Sequence, residues 1–425
     1  MYPRRLTAEI HESLQDTPVV FVQGPRQSGK STLVQNLIAE DYPAEYLSLD
    51  TSAALAAAGA DPEGFLGGFD GPVAIDEVQR VPALAVAIKG AVDQQRAPGR
   101  FLLTGSANVM VLPKLSESLA GRMELHTLWP LSQVEIEGQT KGRSFVDRLF
   151  GERFIAKGIP PISFDELAKR VIAGGFPEVL GRRRPERRAA WFDAYVTAIL
   201  QRDVREIANI EHSTEMPRLL ALLASRATSL VNYATLARSL SLPQSTLKRY
   251  VALLEATFLV RMLPAWSANL GKRVVKSPKL MLTDTGVLSH LAGIDKDGLR
   301  RDRSLAGRVV ENFVMMELTK QLGWSRERCE LFHFRTENGL EVDFVLGDRK
   351  GRLVGIEVKT KTSVEERDLR GLKAFAELTG EHFHRGVLLY VGDAAVPFGK
   401  NLTTLPMTAL WSSPTRAARA STISG

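Results

Sequence analysis

Apolar positions in the first third of the chain fall into short, nearly unbroken runs. Val19-Val20-Phe21-Val22, Val73-Ala74-Ile75 and Phe101-Leu102-Leu103 each end in glycine, carboxylate or small polar residues, and they read as buried strands. Between them the spacing turns helical, as in Thr32-Leu33-Val34-Gln35-Asn36-Leu37-Ile38, an Ala-rich stretch after Asp50, and a helix beginning near Pro82. Alternating strand and helix to about residue 150 predicts an α/β domain with a doubly wound parallel sheet. Gly158-Ile159-Pro160-Pro161 marks a linker over 151–165. The segment 166–290 reads as helical. Within it, Tyr233 to Leu240, Leu242-Pro243 and Gln244 to Leu254 fit two helices about a turn, as in a winged helix-turn-helix. From 296 to 411 a helix carrying Glu311 precedes a strand over 340–346 and another ending in Glu357-Val358-Lys359, a second α/β domain. From Ser412 the chain is a polar tail expected to be disordered.

Composition narrows the class. A chain of 425 residues, 44% hydrophobic and 24% charged, suits several globular domains. Its lone cysteine, Cys329, excludes an intramolecular disulfide and any multi-cysteine zinc site, and reads as an inert structural thiol. With neither a signal-peptide pattern nor an apolar run long enough to span a bilayer, a cytoplasmic protein without a membrane partner is expected. The net charge of +7 is uneven: residues 166–290 hold 19 Lys and Arg against 10 Asp and Glu. That segment is the candidate for meeting a polyanion. Its Arg182–Arg188 cluster reads either as a solvated face or as a phosphate contact.

The sharpest chemistry lies where the first strand meets the first helix. Gly24, Pro25, Arg26, Gln27, Ser28, Gly29, Lys30 and Ser31, followed by Thr32, form a P-loop. Its glycines let successive backbone N–H groups wrap phosphate oxygens at a helix N-terminus. Lys30 would reach the β- and γ-phosphates of ATP, and Ser31 would ligate Mg²⁺. The strand ending in Asp76-Glu77 supplies a metal-holding carboxylate and a carboxylate to polarise the attacking water.

Gly-Pro-Arg-Gln-Ser-Gly-Lys-Ser, Ile-Asp-Glu-Val-Gln and Leu-Thr-Gly-Ser together resemble the AAA+ ATPase module of a widespread prokaryotic family, in which that module is joined to a C-terminal half of unknown function. The resemblance covers nearly the whole chain. It implies that Thr104, Ser106 or Asn108 senses the γ-phosphate and that Arg122 is a candidate arginine finger. A guanidinium there would stabilise charge on the transferring phosphoryl group, in its own subunit or in that of a homo-oligomeric neighbour. Arg202 and Asp203 belong either to an ATP-sensing lid or to a structural pair. Leu280 to Gly286 resembles a family signature without a derivable role.

The order Glu311, Asp343, Glu357, Lys359 resembles the PD-(D/E)xK nuclease superfamily. That resemblance implies Asp343 and Glu357 as Mg²⁺ ligands, Glu311 as support for the metal shell and Lys359 as the group that orients water. The other reading of these residues is two half-exposed strands. His333 and Arg335 would contact phosphate or be structural. Gln244, Ser245, Thr246, Lys248 and Arg249 at the start of the second helix, with Lys272 and Arg273 on a basic wing, are the DNA-contact candidates. Three functions follow: a DNA-associated ATPase whose nucleotide state controls the later domains, a nucleotide-driven switch that binds proteins, and an ATP-gated Mg²⁺-dependent nuclease.

Overall fold

In a computed structural model that describes residues 2–108, 117–207, 215–269 and 276–414, the three apolar runs and two further strands form one parallel sheet. Its strands are β1 (Val19–Gln23), β2 (Glu45–Ser48), β3 (Val73–Asp76), β4 (Phe101–Gly105) and β5 (Met123–Thr127), in the order β2-β3-β4-β1-β5. Side-chain alternation splits each central strand between two cores. Val19, Phe21, Val73, Ile75, Phe101 and Leu103 pack on one face, while Val20, Val22, Ala74 and Leu102 pack on the other. Burial on both faces is why these runs carry no polar alternation. Because β4 lies between β1 and β3, the C-terminal ends of all three open side by side on one edge.

No regular element spans 151–163, and the Phe164–Ala173 helix follows. Next comes the Pro185–Ala198 helix, which runs into a π-helical turn at Ile199–Asp203, a local widening common at functional positions. The Tyr233–Leu240 and Gln244–Ala256 helices flank a three-residue turn in which Ser241 takes φ 54°; β6 (Val260–Leu263) then pairs antiparallel with β7 (Lys279–Leu282).

A second sheet ends the chain: β8 (Cys329–Arg335), β9 (Glu341–Asp348), β10 (Leu353–Lys359), β11 (Phe383–Tyr390), β12 (Val396–Pro397) and β13 (Leu402–Pro406). Its order is β12-β13-β11-β10-β9-β8; β10, β11 and β13 run parallel, and the other pairings are antiparallel. The protein is thus mixed α/β, with a parallel P-loop sheet first and a mixed sheet last.

The Arg303–Leu322 helix is buried on nearly every side and has no polar face. It stitches the parts together. Gln321 accepts from the Phe145 N–H (2.7 Å) and donates to the Leu410 carbonyl (2.7 Å), while Lys320 donates to the Leu131 carbonyl (2.9 Å). One apolar core runs without a break from Trp129 through the helical segment to Trp411. The change of pattern near residues 290–296 therefore marks a change of architecture inside a shared core. Lys272, Arg273 and residues 415–425 of the tail lie outside the described residues. No helix among the described residues is long and apolar enough to cross a membrane.

Candidate active site

The loop after β1 turns through Gly24 (φ 150°), Gln27 (φ 58°) and Gly29 (φ 98°). A Cβ at Gly24 would collide with the Leu128 carbonyl oxygen, so the close approach of these backbones requires glycine there. Lys30 opens the Lys30–Glu40 helix and folds back, donating to the carbonyls of Gly24 and Pro25, each at 3.0 Å. Burial lowers its pKa, and the nearby Glu77 and Asp76 only partly restore it. Its partners are neutral carbonyls, so charged phosphate oxygens would outcompete them. Behind the loop, the Arg4 guanidinium donates to the carbonyls of Ser28 and Trp129, both at 2.6 Å, and to Glu135 at 3.0 Å. No sequence motif pointed to Arg4.

Asp76 ends β3. Its Oδ2 accepts from Ser31 Oγ at 2.8 Å and from the Tyr46 hydroxyl at 2.9 Å, and its Oδ1 accepts from the Thr104 hydroxyl. Octahedral Mg²⁺ with bonds of about 2.1 Å places adjacent ligands roughly 3 Å apart. The separation of Ser31 Oγ and Asp76 Oδ2 therefore fits a shared metal, which would neutralise charge at the phosphates. Glu77 sits just past the strand at φ 58°, its N–H donating to Thr104 Oγ1 at 3.2 Å. Its carboxylate accepts from Ser106 Oγ at 2.9 Å and from the Gln79 amide. Burial pushes its pKa up, but the Lys30 ammonium and these two donors outweigh that and hold it below its ordinary value. Glu77 is therefore charged, as a group that polarises water must be.

Arg26, Gln27, Lys30 and Thr32 line one wall of a cavity of about 900 Å³ beside Glu77. The facing wall comes from the helical segment: Arg182, Trp191 and Tyr195, with the two aromatic rings stacked at 4.9 Å and 8°. Only the tertiary fold turns these aromatics toward the P-loop. Arg182 is the member of the basic cluster that reaches the cavity, while Arg183, Arg184 and Arg187 are exposed. Arg202 and Asp203 pair with other residues rather than with each other. Asp203 takes Arg26 of the P-loop at 2.7 Å, and Arg202 lies 3.7 Å from Asp50.

Arg122 stands elsewhere. Its carbonyl accepts from the N–H of Val19 at the start of β1, the sheet edge opposite the P-loop, and its guanidinium holds Asp93 at 2.6 and 2.8 Å. A β1 of five residues separates the two edges by roughly 17 Å, which puts Arg122 at the edge away from the P-loop of its own chain.

In the last sheet, Asp343 on β9 lies beside Glu357 and Lys359 on β10, and the Arg303–Leu322 helix adds Glu311. Lys359 donates to Glu357 at 2.6 Å, and Asp343 accepts from the Val358 N–H at 2.9 Å. Burial and the Asp343 charge push the carboxyls of Glu311 and Glu357 up to about 8. Lys279 belongs to the cluster too, its Nζ 2.6 Å from Glu311 and 3.8 Å from Asp343. Among the described residues no three His, Cys, Asp or Glu side chains are arranged to hold a metal, so the implied Mg²⁺ set of Glu311, Asp343 and Glu357 does not fit as it stands. His333 is buried against the Ser277 carbonyl at 3.2 Å, a structural position, and Arg335 pairs with Glu341 at 3.6 Å. Burial pushes the Cys329 thiol up to about 12, which keeps it inert. Gln244, Ser245, Lys248 and Arg249 are all exposed at the start of their helix, with the Lys248 ammonium 5.5 Å from the Tyr233 ring centre.

A family model described as an AAA domain matches residues 16–137, and two described as domains of unknown function, DUF8612 and DUF4143, match 164–298 and 306–410. The uncharacterized protein Rv2008c of Mycobacterium tuberculosis and the uncharacterized protein Mb2031c of Mycobacterium bovis are each 34% identical to the chain over 409 residues, spanning 95% of it and 83% of their own length. Among solved structures, the Walker-type ATPase PABY2304 of Pyrococcus abyssi overlaps 68% of this chain and 96% of its own at 14% identity and a TM-score of 0.43. The Thermotoga maritima RuvB Holliday junction branch migration motor overlaps 61% and 88% at 17% identity and a TM-score of 0.26. Overlaps that loose carry no functional assignment. The AAA match lies on the P-loop, Asp76 and Glu77, and the chain belongs to the same family as the two mycobacterial proteins, as an AAA-type P-loop ATPase.

Proposed function

We propose that this ATPase uses the nucleotide state of its cleft to reposition a DNA-contacting helix pair. One contact carries the reading: the Asn108 N–H donates to the Ala256 carbonyl at 2.9 Å. Asn108 follows Thr104 and Ser106, which hold Asp76 and Glu77, and Ala256 ends the helix whose first two turns expose Gln244, Ser245, Lys248 and Arg249. A shift of the β4 end on phosphate binding is thereby felt by that helix. Arg26 adds a second link through Asp203. In the cleft Lys30 and the loop N–H groups hold the phosphates, Ser31 and Asp76 hold Mg²⁺, Glu77 polarises the water, and Arg122 would serve a neighbouring subunit of a homo-oligomer. The two helices with β6 and β7 form the winged-helix-type element, and the positive middle segment supplies attraction to phosphate.

The test is ATP turnover by purified protein with and without duplex and single-stranded DNA, with Glu77→Gln as the inactive control. Stimulation by DNA that disappears in Lys248→Glu/Arg249→Glu supports the reading. Indifference to DNA, with DNA affinity unchanged in the double variant, sinks it and shifts the assignment to a switch that binds proteins.

A further inference from the structure

We infer that Lys279 is the built-in cation of the C-terminal carboxylate cluster and occupies the place a divalent ion would take, so that this chain carries a closed, lysine-neutralised counterpart of a metal site. The inference rests on the cluster alone and is independent of the ATPase and DNA readings.

Lys279 opens β7, whose four residues are all buried, and the lysine itself is only 4% exposed. A buried ammonium costs several kcal/mol unless it is paired. Here it meets Glu311 of the Arg303–Leu322 helix at 2.6 Å and Asp343 of β9 at 3.8 Å. One positive nitrogen thus bridges carboxylates from two separate elements, which is the job of a bound cation. The third carboxylate, Glu357, is 6% exposed; one of its oxygens takes Lys359 and the other is buried with no hydrogen-bond partner. A divalent ion of the oxygen-preferring class, such as Mg²⁺ or Mn²⁺, would use that oxygen, whereas the single lysine nitrogen leaves it over.

Lys279 is held in place. Next to Glu311, the Asn312 side chain accepts from the Leu282 N–H at 2.9 Å and donates to the Leu282 carbonyl at 2.8 Å, standing in for a neighbouring strand. Along the same edge the Leu280 N–H and carbonyl bond to Ser229 (3.0 Å) and Thr228 (2.7 Å), and on its other side β7 pairs with β6. The cation therefore belongs to the helical segment, and the carboxylates belong to the last sheet and its helix. It follows that the full chain binds no divalent ion at this cluster and performs no metal-dependent cleavage there.

The test is Mn²⁺ binding by nucleotide-free full-length protein, followed through the electron paramagnetic resonance signal of free Mn²⁺. Asp76→Asn in the background silences the metal ligand of the ATP cleft. With Lys279 present, no Mn²⁺ should bind. Lys279→Ala should create one site per chain, and adding Asp343→Asn should remove it. Mn²⁺ binding in the presence of Lys279 that is lost on Asp343→Asn would overturn the inference, as would a folded Lys279→Ala protein that binds none. If Lys279→Ala unfolds, thermal melting decides: Mn²⁺ but not Na⁺ should restore a folding transition, and failure to do so also overturns it.

Discussion

Lys30 touches only neutral carbonyls in the cleft, so its charge is available to the incoming phosphates. Removing it deletes charge-assisted bonds worth about 3 kcal/mol, and Lys30→Ala should weaken binding of a non-hydrolysable ATP analogue by roughly 100-fold in titration calorimetry. Glu77 differs, because it faces water rather than phosphate in its role. Glu77→Gln should keep nucleotide affinity and lose turnover by about 100-fold or more, the range expected for losing a general base. His333 gives a pH prediction. Burial, reinforced by the Lys279 charge, lowers its pKa from an ordinary 6.5 to about 4. It stays neutral in the fold and takes up a proton on unfolding at intermediate pH. Stability is therefore intact above about pH 6.5 and falls as pH drops toward 4, by on the order of 1–3 kcal/mol. Melting curves at pH 7 and 5 should show a smaller loss for His333→Gln than for the unmodified protein. Equal losses would mean another group carries the acid sensitivity.

Gly174-Gly175 and the Leu280 to Gly286 segment are halves of one clasp. The Asp284 carboxylate caps the Thr285–Leu291 helix through the N–H groups of Gly286 and Val287, at 2.9 and 3.0 Å, and takes the Gly175 N–H at 2.7 Å. Gly174 turns with φ 68°, and a Cβ there would run into that carboxylate. The contact fixes the segment leading to the Pro185–Ala198 helix, which carries Trp191 and Tyr195 into the cleft wall. Asp284→Ala leaves three N–H donors unmet and should cost about 2–4 kcal/mol in chemical denaturation, with Gly174→Ala comparable. A loss under about 1 kcal/mol in both would show that the clasp does not hold the segment. Such a contact is invisible in sequence, since Gly175 and Asp284 are 109 residues apart along the chain.

At the scale of the molecule, the unbroken core from Trp129 to Trp411 makes the last sheet depend on the helical segment. A fragment starting at residue 296 lacks Lys279 for Glu311 and Leu282 for Asn312, and it exposes the face of the Arg303–Leu322 helix that packs on them. That fragment should fail to fold, giving a one-dimensional NMR spectrum without dispersion; a well-dispersed spectrum would refute the shared core. Coupling across the cleft has its own signature. An ATP analogue bound to Glu77→Gln protein should slow hydrogen exchange over 185–205 and over 244–256, and Asp203→Ala, which breaks the link to Arg26, should shrink the protection in 185–205.

The sequence by itself determined the P-loop, the Asp76-Glu77 strand end and the parallel sheet that presents them. A phosphate cradle is built from successive backbone N–H groups and one helix start, so its chemistry is written in adjacent residues, and strands buried on both faces announce themselves as apolar runs. Tertiary structure alone decided the partners. Arg4 braces the loop across 24 residues to Ser28 and 131 to Glu135. Trp191 and Tyr195 of the shared core also become cleft wall, and Arg122 lands on the far edge of the sheet. Lys279 shows the reason most plainly: a basic residue reads as surface until the fold brings Glu311 and Asp343 to it, because the pairing that permits its burial is made between segments that share no sequence pattern.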